Sequence, residues 1–157
     1  MEKFFFAVDE VKKKLEQYCV YQDRCHQEVE KKLKEFKLIA IAREEVLLHL
    51  IQHDFLNEER FAKSFARGKF RIKKYGKLRI VKELKYRNLS EYNIKIALKE
   101  IDEQEYTITI HKLIEKKAAM LSEQNLIKKK KKILDYMLRK GYEYELIIEA
   151  IALLYSS

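Results

Sequence analysis

The stretch KLRIVKELKYRNLSEYNIKIALKEI, residues 77–101, decides the fold because its apolar pattern occurs three times in the chain. When Ile80 is aligned with Ile133, the stretch matches residues 130–154, and when Ile80 is aligned with Val29, it matches residues 26–50. A period of about 50 residues made of one supersecondary unit is typical of a stacked helical array. The repeat predicts an all-α fold of three tandem three-helix units, at residues 1–54, 55–104 and 105–157.

Apolar residues recur at spacings of three and four along the chain, as on one face of an α-helix. Nine segments carry this pattern, and their ranges in chain order are 8–18, 29–36, 46–51, 61–65, 80–84, 94–101, 110–114, 133–137 and 146–154. The absence of proline and the presence of only three glycines favour an all-helical fold, since loops and tight turns usually need both residues. Nine helices in 157 residues imply short helices joined by short turns, with a helix-turn-helix-like look in each unit.

Several helix ends carry a local signal. Asn57 and Ser90 are suited to N-caps, because their side-chain oxygens can accept from free amides of the first turn. Gly141 is suited to the C′ position, which is often left-handed. Asn88, at the equivalent position of the second unit, tolerates that conformation better than most residues. Lys37 occupies the equivalent position of the first unit, which makes that copy of the repeat the loosest.

Composition bounds the class of protein. With 47% hydrophobic and 38% charged residues, the chain can bury a core, so it is neither a disordered tail nor a membrane protein. Its apolar N-terminal run, residues 4–8, is too short for a signal peptide, and no window has the roughly 18 apolar residues of a membrane span. We therefore expect a cytoplasmic protein with reduced cysteines. The net charge of +9 favours a polyanionic partner.

The region from Arg67 to Arg79 is a basic strip without a single acid. Phe70 and Tyr75 are interleaved with its charges and could stack on bases or pack on a partner. The alternative is a solvated face, with Phe70 and Ile72 in the core. Interpreted as a binding surface, the strip contributes seven candidates for contact with a polyanionic partner: Arg67, Lys69, Arg71, Lys73, Lys74, Lys77 and Arg79.

A second basic run, Lys128 to Lys132, opens a helix of the third unit that also carries Arg139 and Lys140. Five consecutive lysines surround a helix, so at most two or three of them can face one partner. The candidates are Lys128, Lys129 and Lys132, and the alternative is a merely solvated helix.

No pattern of an enzyme or a cofactor site is present in the sequence: there is no glycine-rich phosphate loop and no nucleophile elbow. Cys19, Cys25 and His26 with His49 and His53 are the one set that suggests a metal, but the cysteine spacing matches no common zinc pattern, so no metal is predicted. No cluster of base-reading side chains stands at a helix N-terminus. Six tyrosines are expected to cap small cores with their hydroxyls in solvent: Tyr86, Tyr92, Tyr106, Tyr136, Tyr142 and Tyr144.

Residues 54–101 resemble the RecX family, the bacterial regulators of the RecA recombinase. The resemblance is carried by the basic run and by Leu56, Glu59, Arg60, Phe61, Ala62, Phe65, Gly76, Arg79, Ile80, Glu83, Leu84, Asn88 and Leu89. The chain departs from the family pattern at Asn57, where aspartate is more usual, and at Leu78, where proline is common. Lys37 replaces the turn residue expected in the first unit.

The resemblance implies tandem three-helix units in an elongated, curved protein. It implies a non-enzymatic modulator that binds within the groove of the RecA–DNA filament, lowers ATP hydrolysis and strand exchange, and promotes filament shortening or capping. The expected partners are the RecA filament and single- or double-stranded DNA, with no membrane and no cofactor, and we expect a monomer. Two other classes remain open: a stand-alone nucleic-acid-binding protein, and a scaffold that recognises an acidic protein.

Overall fold

A computed structural model describes residues 2–156 of the chain, with side chains for residues 8–156. Within that range the chain forms nine α-helices, one short 3-10 helix and no strand, which confirms the all-helical prediction. The helices are α1 (Glu2–Tyr21), α2 (His26–Leu33), α3 (Ala40–Gln52), α4 (Glu58–Arg71), α5 (Lys77–Tyr86), α6 (Glu91–Leu98), α7 (Glu103–Met120), α8 (Leu126–Lys140) and α9 (Tyr144–Leu154).

The expectation of uniformly short helices is wrong for two elements. Helix α1 has 20 residues and α7 has 18, so the first helix of the first and third units is long. In the range from residue 2 to residue 156, no helix has both the length and the apolar character that crossing a bilayer requires.

The predicted N-caps are present. The Asn57 side chain accepts from the backbone N–H of Arg60 at 2.9 Å, and Ser90 Oγ accepts from that of Asn93 at 3.1 Å. Both capping residues have extended backbones, so their side chains face the free amides of the first turn. These local signals define where α4 and α6 begin.

The turn before the third helix of each unit has the same backbone conformation. Gly141 has φ +98° and Asn88 has φ +60°, as their residue types favour, and Lys37 adopts φ +53° although lysine is uncommon there. The aligned positions Val29, Ile80 and Ile133 are also equivalent, since all three side chains are fully buried. The repeat in the sequence therefore corresponds to a repeat in backbone and core.

The closest helix packing lies within three groups, α1–α3, α4–α6 and α7–α9. Helix α7 begins at Glu103, so the predicted boundary between residues 104 and 105 falls inside its first turn. The accessible surface is 10758 Å², whereas a compact monomer of this mass exposes about 8,400 Å². The excess indicates an extended arrangement of the helices.

The buried residues form two cores. One lies among α1–α3 and is closed by Leu56, and the other runs without a break through α4–α9. The second and third units therefore share apolar surface, as expected of stacked units too small to stand alone. Cys25 of the first unit is the residue that reaches into the larger core.

The first unit is joined to the second by polar contacts of Arg60. Its Nε donates to Asp23 Oδ1 at 2.8 Å and its Nη1 donates to Asp54 Oδ2 at 3.1 Å. Its Nη2 donates to the backbone carbonyls of Asp54 and Phe55. One guanidinium thus connects the turn after α1, the turn after α3 and the start of α4.

Four of the six tyrosines do not cap a core with the hydroxyl in solvent, because two are fully buried and two are largely exposed. Tyr106 and Tyr142 are fully buried, and their hydroxyls donate to Glu143 and to the backbone carbonyl of Lys74, rather than reaching solvent. Tyr86 and Tyr92, in contrast, are almost free of packing and lie exposed on α5 and α6.

Candidate nucleic-acid interface

The basic strip is divided between two helices and a short loop. Arg67, Lys69 and Arg71 lie in the last turns of α4, which extends as far as Arg71, and only residues 72–76 form the loop. Lys77 and Arg79 begin α5. The strip therefore consists of the end of one helix, a loop and the start of the next helix, so its charges do not all face one side.

Three of the seven strip residues are held by acids. Arg67 donates to Glu100, and Lys77 forms an ion pair with Glu103. Arg71 Nε lies 3.9 Å from Glu105 Oε1. These acids stand at the end of α6 and the start of α7, so folding brings negative charge to a segment that has none of its own. Part of the charge of these three residues is compensated within the protein.

Three cationic groups surround the ring of Tyr75. The guanidinium carbon of Arg79 lies 3.8 Å from the ring centroid, and the ammonium nitrogens of Lys69 and Lys140 lie 5.7 and 5.9 Å from it. These distances suit cation–π contact. Lys73 and Lys74 are exposed in the adjoining loop, where Lys140 Nζ donates to the carbonyl of Lys73 at 3.0 Å.

The positive charge at this place is uncompensated. Burial lowers the pKa of the Lys140 ammonium below its usual value, and the neighbouring charges of Arg79 and Lys116 lower it further. We call the six residues that meet here the junction cluster: Lys69, Lys73, Lys74, Arg79, Lys116 and Lys140. Within the described part of the chain, no acid lies within ion-pairing distance of any of them.

Backbone contacts between the second and third units hold the junction cluster in place. The N–H of Gly76 donates to the carbonyl of Lys140 at 2.8 Å, and the N–H of Leu78 donates to that of Gly141 at 3.0 Å. The Tyr142 hydroxyl donates to the carbonyl of Lys74 at 2.7 Å. Because the loop at residues 72–76 is pinned to the α8–α9 turn, cations of both units keep fixed relative positions.

The apolar and aromatic residues of the strip differ in how deeply they are buried. Phe70 is buried and packs against Tyr106, with ring centroids 5.7 Å apart, so it belongs to the core and is not available for stacking on bases. Ile72 is 78% exposed, so the interpretation that placed it in the core is wrong. Tyr75 is half-buried and carries the cations described above.

The second basic run divides between two faces of α8. Lys129 lies about three turns before Lys140 and shares its side of the helix, whereas Lys128 and Lys132 share a side with Arg139. Lys132 Nζ is paired with Glu123 Oε2 at 3.2 Å. Only Lys129 extends the junction cluster along α8, and Lys128 is exposed on the neighbouring face.

Two lysines of α7 that lie near these cations were not among the binding residues predicted from the sequence. Lys116 approaches Lys140, and Lys117 Nζ lies 4.7 Å from the ring centroid of Tyr136. Their segment mixes acidic and basic residues, so its composition carries no binding signal. Only the packing of α7 beside α8 brings these lysines to the cations of the strip.

The five residues considered for a metal do not converge. Cys19 and Cys25 are buried free thiols, and His49 Nε2 lies 2.7 Å from Glu16 Oε2. The rings of His49 and His53 are tilted by 49° to each other, with centroids 4.5 Å apart. Across the described residues, no group of three possible ligands comes together.

Two family models match the chain. Residues 57–98 match the description "RecX, second three-helix domain", and residues 104–151 match "RecX, third three-helix domain". Together they cover more than half of the chain, and they meet between α6 and α7, where the second unit ends.

Curated relatives carry the same name. The "Regulatory protein RecX" of Pelodictyon phaeoclathratiforme is 31% identical over 127 residues, which are 81% of this chain and 78% of that protein. That of Bacillus cytotoxicus is 28% identical over 130 residues, which are 83% of this chain and 48% of that protein. The chain thus spans about half the length of the Bacillus relative. These relatives are named regulatory proteins rather than enzymes, which agrees with the prediction of a non-enzymatic protein.

Solved structures share the fold. The structure "RecX from Lactobacillus salivarius" has a TM-score of 0.83 and 25% identity, covering 94% of this chain and 96% of that one. A second, "regulatory protein RecX", has a TM-score of 0.82 and 20% identity, covering 92% of this chain and 72% of that one, and its likeness concerns the fold alone.

Proposed function

Because the chain belongs to the RecX family, we propose that it binds a RecA–DNA filament through the junction cluster and inhibits the recombinase and its ATPase. The premise is that the chain is a regulatory protein of this family. The partner, the inhibition and the contact residues are the proposal.

The observation that supports the proposal most strongly is the uncompensated charge of the junction cluster. Six cations from α4, α5, α7, α8 and the loop between α4 and α5 meet where two units join, and none has an acid within ion-pairing distance in the described part of the chain. A phosphate backbone brought to this place would relieve their repulsion and release condensed counterions. The field would also accelerate encounter with a polyanion.

The three strip residues that are paired with acids are expected to contribute less to phosphate binding than the junction cluster. Arg67, Arg71 and Lys77 already face Glu100, Glu105 and Glu103, so a phosphate would have to compete with these carboxylates. Of the second run, Lys129 extends the contact along α8, and Lys128 and Lys132 would touch only a partner that wraps around the helix. An extended protein can reach more than one subunit of a filament, and we expect it to act as a monomer. Its proposed partner places it in the cytoplasm.

The test is an assay of RecA ATPase on single-stranded DNA with this protein titrated in. The expected result is a concentration-dependent fall in ATP hydrolysis. Addition to preformed filaments separates two modes of action: contact along the groove inhibits at once, whereas capping of ends lets activity decline slowly as filaments shorten. Unchanged hydrolysis at protein concentrations above that of RecA would refute the proposal.

A second candidate function is binding of nucleic acid without RecA. It is favoured by the half-buried rings of Tyr75 and Tyr136, which lie beside cations and suit stacking of unpaired bases. Binding to bare and to RecA-coated DNA across a salt series distinguishes the two. Tight, strongly salt-dependent binding to bare DNA without preference for the filament would support this second function.

A further inference from the structure

A groove lies between α5 and the end of α8, and Arg79 of the junction cluster is one of its lining residues. Its volume is about 950 Å³, near the upper end of the range of about 300–1,000 Å³ for small-molecule pockets. The residues that line it are Leu78, Arg79, Lys82, Glu83, Lys85, Tyr86, Arg87, Leu138, Arg139 and Gly141. On α5 these residues follow the spacing of one exposed helix face, since Ile80 and Leu84 face the core.

The groove is strongly cationic and is not closed by internal pairs. Five lysines or arginines line it, and Glu83 is the one acid among its lining residues. Lys82 and Lys85, which lie between Leu78 and Tyr86 on α5, are exposed. Within the described part of the chain, neither has a carboxylate at ion-pairing distance.

The two ends of the groove are apolar. Leu78 is 55% exposed and Leu138 is 41% exposed at the end near the third unit, and Tyr86 is 79% exposed at the other end. Leu78 and Tyr86 are two turns apart on α5, about 12 Å along its axis. A partner segment that spans the groove could bury apolar surface at both ends and place its charges against the lysines between them.

The outer arginines are positioned before any partner arrives. Arg79 is stacked on Tyr75 and its Nη1 donates to the carbonyl of Arg139 at 3.3 Å. At the far end, the guanidinium carbon of Arg87 lies 4.7 Å from the ring centroid of Phe65. Side chains held in this way lose little conformational entropy when they bind an anion.

The lining favours a polypeptide over a nucleic acid. A row of DNA phosphates would be repelled by the negative charge of Glu83, which is among the lining residues. The side chains of a polypeptide can also cover Leu78 and Leu138, which phosphates cannot.

From these features we infer that the groove between α5 and α8 is the docking site for an acidic helical segment of a protein partner, with carboxylates facing Lys82 and Lys85 and two apolar side chains covering Leu78 and Tyr86. The occupant is defined by charge and by the spacing of its apolar anchors. The site goes beyond the proposed contact with the filament DNA at the junction cluster, and it stands whether or not that proposal holds.

The test uses the whole protein and three fluorescein-labelled probes in anisotropy titrations at fixed ionic strength. The first is a helical peptide with glutamates and two leucines placed about eight residues apart, as Leu78 and Tyr86 are. The second replaces its leucines by serine, and the third is oligothymidylate of equal charge. We expect the leucine peptide to bind at least about fivefold more tightly than the serine peptide, because only the former buries apolar surface.

Two variants locate the site. Lys82→Glu with Lys85→Glu should weaken binding of the leucine peptide at least about tenfold, and Leu78→Ser should weaken it about threefold to fivefold. The matched controls are Lys95→Glu on α6 with Lys99→Glu just after it, and Leu153→Ser on α9, and both should leave the affinity within about twofold. Chemical-shift changes on titration with the peptide should concentrate on residues 78–87 and 138–141.

Equal affinity for the leucine and serine peptides would overturn the inference, as would equal weakening by the control variants. If Lys82→Glu with Lys85→Glu weakened oligothymidylate binding and left the peptide unaffected, the groove would belong to nucleic acid. A protein that binds the leucine peptide here and leaves RecA ATPase unchanged would refute the proposed function alone.

Discussion

The backbones of Gly76 and Gly141 lie in direct contact across the junction of the second and third units. A Cβ atom on Gly76 would lie 2.3 Å from the carbonyl oxygen of Gly141, closer than any side chain can approach. On the other side, a Cβ on Gly141 would lie 2.3 Å from Cβ of Arg79. The absence of two side chains thus lets the N–H groups of Gly76 and Leu78 donate to the carbonyls of Lys140 and Gly141.

Alanine at either glycine should separate the two units. Gly76→Ala and Gly141→Ala are each expected to cost about 1–3 kcal/mol of unfolding free energy, because backbone atoms must move apart. Gly141 also has φ +98°, where alanine is strained. Urea denaturation followed by circular dichroism measures the loss.

Gly68 is the matched control for this prediction. It lies inside α4, and a Cβ there would meet nothing within 4 Å. Gly68→Ala is expected to stabilise the protein by about 0.5–1 kcal/mol, because glycine inside a helix costs more conformational entropy than alanine. Equal stability of the Gly76→Ala protein and the wild type would contradict the close contact.

Charge reversal in the junction cluster should weaken binding to nucleic acid. For Lys73→Glu, Lys74→Glu and Lys116→Glu combined, we expect the slope of log affinity against log salt to become shallower by about 2, since about 0.7 counterions are released per contact with single-stranded DNA. All three side chains are exposed, so the melting transition should change little. Anisotropy titrations on oligothymidylate and on RecA-coated DNA measure the effect.

The control for this prediction has the same change in net charge at exposed lysines elsewhere: Lys31→Glu, Lys95→Glu and Lys99→Glu. If this control reduced binding as much as the cluster variant, the effect would come from net charge alone. The junction cluster would then no longer be assigned as the contact with nucleic acid.

Removal of the Arg60 side chain should loosen the first unit alone. Arg60→Ala breaks hydrogen bonds to Asp23 and Asp54 and to two backbone carbonyls. The expected cost is about 1–2 kcal/mol, at the lower end for charged hydrogen bonds because the site is partly exposed. Hydrogen exchange should accelerate in α1–α3 and stay unchanged in α7–α9.

Arg60→Lys distinguishes charge from geometry in this test. Lysine keeps the positive charge but cannot reproduce the planar fork of donors, so it should recover less than half of the lost protection. Uniform acceleration of hydrogen exchange over the whole chain would show that the three units unfold together. It would contradict the prediction that the core among α1–α3 opens separately from the core through α4–α9.

Alkaline pH should remove a contribution of Cys25 to stability. Burial raises the pKa of this thiol from 9.0 to about 11. The folded protein therefore retains a proton that the unfolded chain releases, so the contribution is complete below pH 9 and is lost as pH rises through 11. The difference in unfolding free energy between the wild type and Cys25→Ala should shrink over this interval.

Comparison with Cys25→Ala is needed because Tyr106 and Tyr142 are buried and also have raised pKa values. Both proteins share these groups, so their effect cancels in the difference. A difference that stays constant from pH 8 to pH 11 would contradict the raised pKa. At pH 8 the wild-type thiol should react with iodoacetamide only as fast as the chain unfolds.

Local features could be predicted from the sequence because they depend on residues close in the chain. The N-caps Asn57 and Ser90 act on amides three residues ahead, and the left-handed turn at Gly141 depends on its own residue type. The buried positions equivalent to Ile80 follow from helical spacing. The lengths of α1 and α7 were not predicted, although Asp102 caps the start of α7, since their apolar spacing was recognised only over residues 8–18 and 110–114.

The binding surface could be predicted only in part. The charge of the strip is visible in the sequence, but Glu100, Glu103 and Glu105 pair with it only after α6 and α7 pack beside α4 and α5. Lys116 and Lys140 join the remaining cations from another unit for the same reason.

The sequence by itself determined three helical units with caps, turns and apolar faces, because each depends on periodicity and on contacts a few residues long. Only the tertiary structure decided which cations stay uncompensated, since charge compensation depends on distances between side chains far apart in the chain. The contact of Gly76 with Gly141 belongs to this second kind, because glycine is needed there only since a backbone segment far away in the chain approaches it.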